Sequence, residues 1–209
     1  MSMKSNNPDG TIVPTQARAK QTYENILMAS QVILEESGIE ALNSNYIVER
    51  AGVTAPVFYR YFKNKHSLLT VLGKRLTDAQ NKIYVDVTEK FDKDPGGLDS
   101  LEEYSYNLLI KTYEVTKEFV GAHPLLVSLR AIPDLSAIRL DANREMAEFS
   151  AAHLRKLRPE LSHKQAYDRC RLAIEIGYSA IEMLLEEPDM SRKPVLRHTA
   201  KAVVSVYAG

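Results

Sequence analysis

An all-helical fold is predicted by three features of the sequence. Apolar residues recur at i, i+3, i+4 and i+7 through most of the chain. No stretch shows the apolar–polar alternation of a half-buried strand, and no repeat is evident. Capping residues, glycines and prolines punctuate the pattern at helix-length intervals. The result is about nine helices: a small head of short, close-set helices, then a larger body of long ones.

Taken in order, residues 1–15 carry Asn6, Asn7, Pro8, Asp9, Gly10 and Pro14 and are expected to form a disordered arm. With no apolar segment, this arm is not expected to be a signal peptide. The first helix presents Tyr23, Ile26, Leu27, Ser30, Ile33 and Leu34 on one face, and Gly38 is expected to end it in the left-handed conformation. Asn43 caps a short second helix that stops before Gly52. Thr54 caps a third, with Pro56 in its first turn, where backbone amides have no helical partner. Asn64 caps a fourth, reaching about Phe91 with Leu68, Leu69, Leu72, Leu76, Ala79, Ile83 and Val87 inward.

Asp92 to Asp99, around Pro95-Gly96-Gly97, is a loop. Ser100 and Glu103 have capping-box spacing for a helix running to about Ala122 and stopping before Pro124. A short piece covers Leu125 to Ala131. A long helix then carries Leu135, Ile138, Ala142, Met146, Phe149, His153 and Leu157 until Pro159 breaks it. Ser162 caps the next, whose face includes Ala166, Cys170, Ala173, Ile174, Gly177, Tyr178, Ile181, Leu184 and Leu185. After a loop at 187–191, the last helix faces Leu196, Thr199, Ala202, Val203, Val206 and Tyr207 inward. The expected domains are the arm (1–15), a head (16–63) and a body (64–209).

The formal net charge is zero, but charge is segregated along the chain. Thr54 to Arg75 holds Arg60, Lys63, Lys65, Lys74 and Arg75 with no acid, a net +5, whereas Asp86 to Glu103 is net −5. A basic patch is hidden inside a neutral total. The lone Cys170 forms no internal disulfide, which suits a reducing cytoplasm. His66, His123, His153, His163 and His198 are scattered and form no pair at metal-ligand spacing. With no nucleophile motif and no phosphate-binding glycine loop, no catalytic residue, metal or cofactor is expected. No run is long and apolar enough to span a membrane, so no membrane association is expected.

The stretch from Asn43 to Phe62 has helix-turn-helix logic. Ala51 lets two helices approach, Gly52 permits positive φ, Val53 plugs the angle, and Ile47 and Phe58 supply a shared core. The second helix begins at Thr54, so its first residues are free to enter a major groove. The pattern Ile47-x3-Ala51-Gly52-Val53-Thr54-x4-Tyr59-x-Tyr61-Phe62-x2-Lys65-x2-Leu68-Leu69 resembles the signature of the tetracycline-repressor (TetR) family. Upstream, Ile26-Leu27 and Glu36-Ser-Gly38 resemble its first helix, so the close likeness spans Ala17 to Leu69. Departures are Asn43 where threonine is common, Ser44 where an apolar residue is common, and Val48 where alanine is usual.

By that resemblance, Tyr59 and Lys65 contact DNA phosphates, and Thr54, Ala55, Val57 and Arg60 occupy the recognition helix. Asn43 and Asn45, at the start of the preceding helix, join the DNA-contacting set. On chemistry alone, Arg60, Lys63 and Lys65 suit phosphates, and Ala55 and Val57 suit thymine methyls. Arg60 alternatively suits a guanine edge. Arg18 and Lys20 are further backbone or minor-groove contacts. Phe62 reads as core.

The resemblance also implies a small-molecule pocket in the body, for which Tyr104, Tyr113, Phe119, Met146, Phe149 and Tyr178 are candidates. It implies homodimerisation through the last two helices, with Ala173, Ile174, Gly177, Ala180, Ile181, Val203 and Val206 at the seam. The implied function is that of a transcriptional regulator, a repressor in the family's common mode. A dimer would place two recognition helices about 34 Å apart on palindromic double-stranded operator DNA. An effector of unknown identity would shift that spacing through the Leu68–Phe91 helix, a coupling of typically ~1–3 kcal/mol. The rivals are a ligand-independent, chromosome-organising member of the same family and an all-helical enzyme, the latter disfavoured because the histidines are dispersed and Cys170 lies on an apolar face.

Overall fold

The computed structural model describes residues 5–6, 12–93 and 98–209. Nine helices are present among them. They are α1 (Ala17–Ala41), α2 (Ser44–Ala51), α3 (Ala55–Tyr61), α4 (Lys65–Lys93), α5 (Leu98–Glu118), α6 (Ala122–Ala131), α7 (Pro133–Leu157), α8 (His163–Glu186) and α9 (Arg192–Ala208). Within the stretch expected to be a disordered arm, Ser5–Asn6 (β1) and Ile12–Val13 (β2) pair antiparallel, Ser5 opposite Val13. Two-residue strands carry no alternation signal, so periodicity could not reveal them. Residues 1–4 and 7–11, the rest of the expected arm before Pro14, lie outside the described residues.

The chain divides into two compact units. The first comprises residues up to Leu76 together with 119–139, the second Thr77–Glu118 and Leu140–Gly209. The first unit is therefore larger than the head expected at 16–63, because α6 packs on α1. Ile26, Leu27, Ile33, Leu34, Ile47, Phe58, Phe62, Leu68, Leu69 and Leu72 are fully buried there. Tyr23 stacks on Phe62 at 5.0 Å and meets Tyr61 edge-on at 5.7 Å, tying α1 to α3. On α4, Gly73 meets α6: a Cβ added there would lie 2.8 Å from Leu129 Cδ2.

In the second unit, α9 packs on α8 and α5. One core cluster gathers Leu101, Met146, Ala147, Leu154, Cys170, Ile174 and Val203. A second gathers Leu109, Tyr113, Ile181, Leu184 and Leu196. Arg158 and Arg169 donate to the carbonyls of Tyr207, Ala208 and Gly209 at 2.6–3.0 Å, capping the end of α9 with positive charge.

Several boundaries differ from expectation for identifiable reasons. Gly38 does take positive φ (71°), but with ψ −175°, an extended glycine conformation rather than the left-handed helical one; one more turn follows to Ala41. Thr54 opens α3 without a side-chain cap. Pro56 removes one of the two amides such a cap engages, and the other, on Val57, bonds to the Thr54 carbonyl at 3.0 Å. Ser100 lies inside α5, which starts two residues earlier at Leu98. The loop expected over 92–99 yields both ends to α4 and α5, and residues 94–97 lie outside the described residues. The helix expected to reach Ala122 ends at Glu118, and Pro124 falls within the first turn of α6, where a missing amide costs no helical bond. Asn43, Asn64 and Ser162 cap as expected: Asn43 accepts from the Tyr46 amide at 3.0 Å, Asn64 from Ser67 at 2.9 Å, and Ser162 forms a full capping box with Gln165.

Candidate functional site

The turn between α2 and α3 is built on Gly52 (φ 64°, ψ 34°). Its amide donates to the Glu49 carbonyl at 3.2 Å and the Val53 amide to that of Val48 at 3.0 Å, a Schellman closure that only a left-handed residue allows cheaply. Ile47 and Phe58 are fully buried between the two helices, as expected. Burial of Phe58, Tyr61 and Phe62 fixes which way α3 rolls and leaves Thr54, Tyr59 and Arg60 exposed. Ala55 and Val57 are half-buried. The Tyr59 hydroxyl, on a side chain 54% exposed, donates to Ser44 Oγ at 3.1 Å. Ser44, a departure from the family pattern, thus orients Tyr59.

The structure sorts the basic run into two classes. Arg75 is held by a bidentate pair with Glu24, both bonds 2.7 Å, and lies over the Tyr23 ring. Nearby, Arg50 pairs with Glu36 at 2.7 Å. Arg60, Lys63 and Lys65 have no ion-pair partner among the described residues; Arg60 instead lies over the Tyr61 ring at 5.8 Å. An open groove of about 520 Å3 separates the first turn of α1 from α3, and Arg18, Thr22, Thr54, Val57 and Arg60 line it. Asn43 and Asn45 are exposed at the start of α2, but Asn43 Oδ1 is already committed to its cap. Lys63 is exposed beyond α3, and Lys65 is half-buried in the first turn of α4.

In the second unit, two adjoining cavities of about 50 and 30 Å3 share Tyr84 and Tyr207 as their common wall. The larger is lined by α5 (Ser105, Leu108, Leu109, Thr112), α7 (Met146), α8 (Ala173, Ile174, Gly177, Tyr178, Ile181) and α9 (Val203). The smaller adds Thr88, Tyr104, Ser150, His153 and Cys170. Ser150 donates to the Tyr84 hydroxyl at 2.7 Å, and Thr88 and Tyr104 share a hydroxyl–hydroxyl bond at 2.8 Å. Burial raises the phenols of Tyr84, Tyr104 and Tyr207 well above their ordinary range, so this polar wall is neutral.

Of the pocket candidates, Met146 and Tyr178 line the larger cavity and Tyr104 the smaller. Tyr113 is buried in the core against Ile181 and Leu184, Phe149 packs on Tyr84 and His153, and Phe119 lies past the end of α5 in the first unit; none of the three lines either cavity. The seam candidates need correction. Ala173, Ile174, Gly177, Ala180, Ile181 and Val203 are buried in this chain's own core, and all but Ala180 line its cavity; Val206 is half-buried. Periodicity marks a face as apolar without saying against what it packs. Missed altogether were Ser105 and Thr112. They lie at i and i+7 on one α5 face with Leu108 and Leu109 between, two hydroxyls in an otherwise apolar stripe.

Residues 26–72 match the family model of bacterial regulatory proteins, tetR family. The TetC protein of transposon Tn10 from Escherichia coli is 31% identical over 99 residues, which is 46% of this chain and 48% of that protein. The helix-turn-helix segment is thus similar to that of the tetR family of bacterial regulatory proteins. The chain spans about half the length of the curated relative it matches. The TetR fold extends over nearly the whole chain. NalD, the secondary repressor of the MexAB-OprM multidrug efflux pump in Pseudomonas aeruginosa, superposes with TM-score 0.65 at 16% identity, covering 91% of this chain and 97% of that one. A tetR-family transcriptional regulator from Streptomyces coelicolor superposes with TM-score 0.65 at 14% identity, covering 90% and 80%. Among the described residues, no helix is long and apolar enough to cross a membrane, and no cluster of His, Cys, Asp and Glu is arranged to hold a metal ion.

Proposed function

We propose that this protein is a DNA-binding repressor of the TetR family that acts as a homodimer on a palindromic operator and is released by a small-molecule effector. One observation carries the DNA reading: three cations without carboxylate partners among the described residues, Arg60, Lys63 and Lys65, sit on or just beyond the exposed helix of a helix-turn-helix. Phosphates bind such cations with release of counterions, and base edges meet Thr54, Ala55, Val57 and Arg60. Arg18, across the groove from Arg60, adds a contact from α1. The effector reading is supported by the paired cavities, and the repressor reading by family custom. For the dimer, the outward face of α8 carries Leu172, 52% exposed, with Ile176 and Met183 partly exposed one and three turns on.

The test is fluorescence anisotropy on the intergenic DNA flanking the gene, titrated with salt. The logarithm of affinity is expected to fall linearly with the logarithm of salt concentration, at a slope of about −0.9 per phosphate contacted. Lys65→Ala is expected to weaken binding to every sequence alike and to make the slope about one unit shallower. An unchanged slope in Lys65→Ala would remove Lys65 from the interface, and salt-independent binding would sink the reading as a whole.

A further inference from the structure

Several buried hydroxyls on the helices of this chain bond to the carbonyl four residues back. Ser30 does so to Ile26 at 2.8 Å, Thr88 to Tyr84 at 2.8 Å, Thr116 to Thr112 at 2.6 Å and Ser128 to Pro124 at 2.7 Å. Ser105 makes no such bond. It is 2% exposed, its Oγ has no hydrogen-bond partner, and it lines the larger cavity of the second unit. A buried hydroxyl without a partner is costly and persists where something else supplies the partner. No lining residue of this cavity is charged. At the Tyr178 wall, Glu175 and Glu182 add to burial in raising the phenol.

We infer that the effector is an uncharged, mainly apolar molecule with one hydrogen-bonding oxygen or nitrogen, seated in this cavity and anchored on Ser105. The inference deepens the effector reading above and rests on it. Leu108, Leu109, Ile174 and Val203 contact the apolar part. A cavity of about 50 Å3 is smaller than an aromatic ring requires, and the unbranched Met146 is the lining side chain best able to yield. An anion is excluded by the lack of any lysine or arginine in the lining. The polar atom faces a donor or an acceptor, since a hydroxyl serves as either.

The experiment uses three ring-sized probes, phenol, toluene and benzoate, with the full-length protein and no DNA. Binding is read by calorimetry and by thermal denaturation. Phenol and toluene are expected to bind saturably and benzoate not at all. Ser105→Ala is expected to weaken phenol by roughly three- to tenfold and leave toluene unchanged. The same variant, relieved of an unpartnered hydroxyl, is expected to melt about 2–4 °C higher than the parent without ligand. Ala173→Leu, which fills the cavity, is expected to abolish binding of both neutral probes. Benzoate binding as tightly as phenol overturns the inference. So does phenol affinity untouched by Ser105→Ala, a lowered melting temperature in that variant, or no saturable binding of either neutral probe. Because DNA is absent, a failure of operator recognition would show in the anisotropy experiment and leave these readings unaffected.

Discussion

Two glycines with positive φ separate two costs that are easily confused. Gly52 has open space where a Cβ would stand, so Gly52→Ala meets only the backbone cost of the left-handed region, about 1–2 kcal/mol. Gly121 (φ 76°) adds a collision: its Cβ would lie 2.8 Å from the Gln31 carbonyl oxygen. Gly121→Ala is therefore expected to destabilise more than Gly52→Ala, as read from urea unfolding midpoints. Equal losses would mean that α1 yields freely at Gln31. Cys170 supplies a probe of the body. It is 1% exposed, and burial pushes its thiol pKa up to about 12. Roughly one thiol in ten thousand is ionised at pH 8, so a disulfide reagent should react only as fast as the unit opens. Rapid labelling of folded protein would contradict the burial.

At the scale of elements, the head is braced by ion pairs that span it. The Arg75 guanidinium, hydrogen-bonded to Glu24, holds that carboxyl below its ordinary range, against the opposing effect of burial. A depressed carboxylate pKa contributes stability that is present above the unfolded value and lost as pH falls through the folded one. Both side chains are more than a third exposed, so the contribution is about 0.5 kcal/mol. Glu24→Gln is expected to be less stable than the parent at pH 6 and to converge with it in acid, as urea titrations at pH 6 and pH 3 would show. A gap that persists at pH 3 would assign the loss to packing instead. Element by element, the helices were legible because caps and breakers are local: Asn43, Gly52, Asn64 and Ser162 each act within a few residues. The failures were also local in cause. At Thr54, a nearby proline removed the amide the cap needed, and at Pro124, first-turn tolerance let a helix begin where a break was expected.

At the scale of the whole molecule, dimerisation is the property most open to test. Leu172→Glu places a charge on the outward face of α8 and leaves the buried face intact. It is expected to convert a dimer to a folded monomer in sedimentation, with operator affinity falling together with the lost symmetry. A variant that stays dimeric would move the seam elsewhere. The helix-turn-helix was legible in the sequence because one motif holds all its parts within some twenty residues. The inward face of the last two helices and the lining of the cavities were less so, since which side of an apolar helix faces its own chain depends on partners far away in sequence. The same distance matters at Gly121, whose amide is held by Glu35 at 2.9 Å while Gln31 donates to the Val120 carbonyl at 3.1 Å. On a ribosome, the helix-turn-helix emerges complete at Phe62, yet the segment that covers α1 follows roughly sixty residues later. Until then Leu34 and its neighbours lack their cover, so a cell must shelter the nascent head through several seconds of synthesis, and a fragment cut after α4 would leave that flank bare.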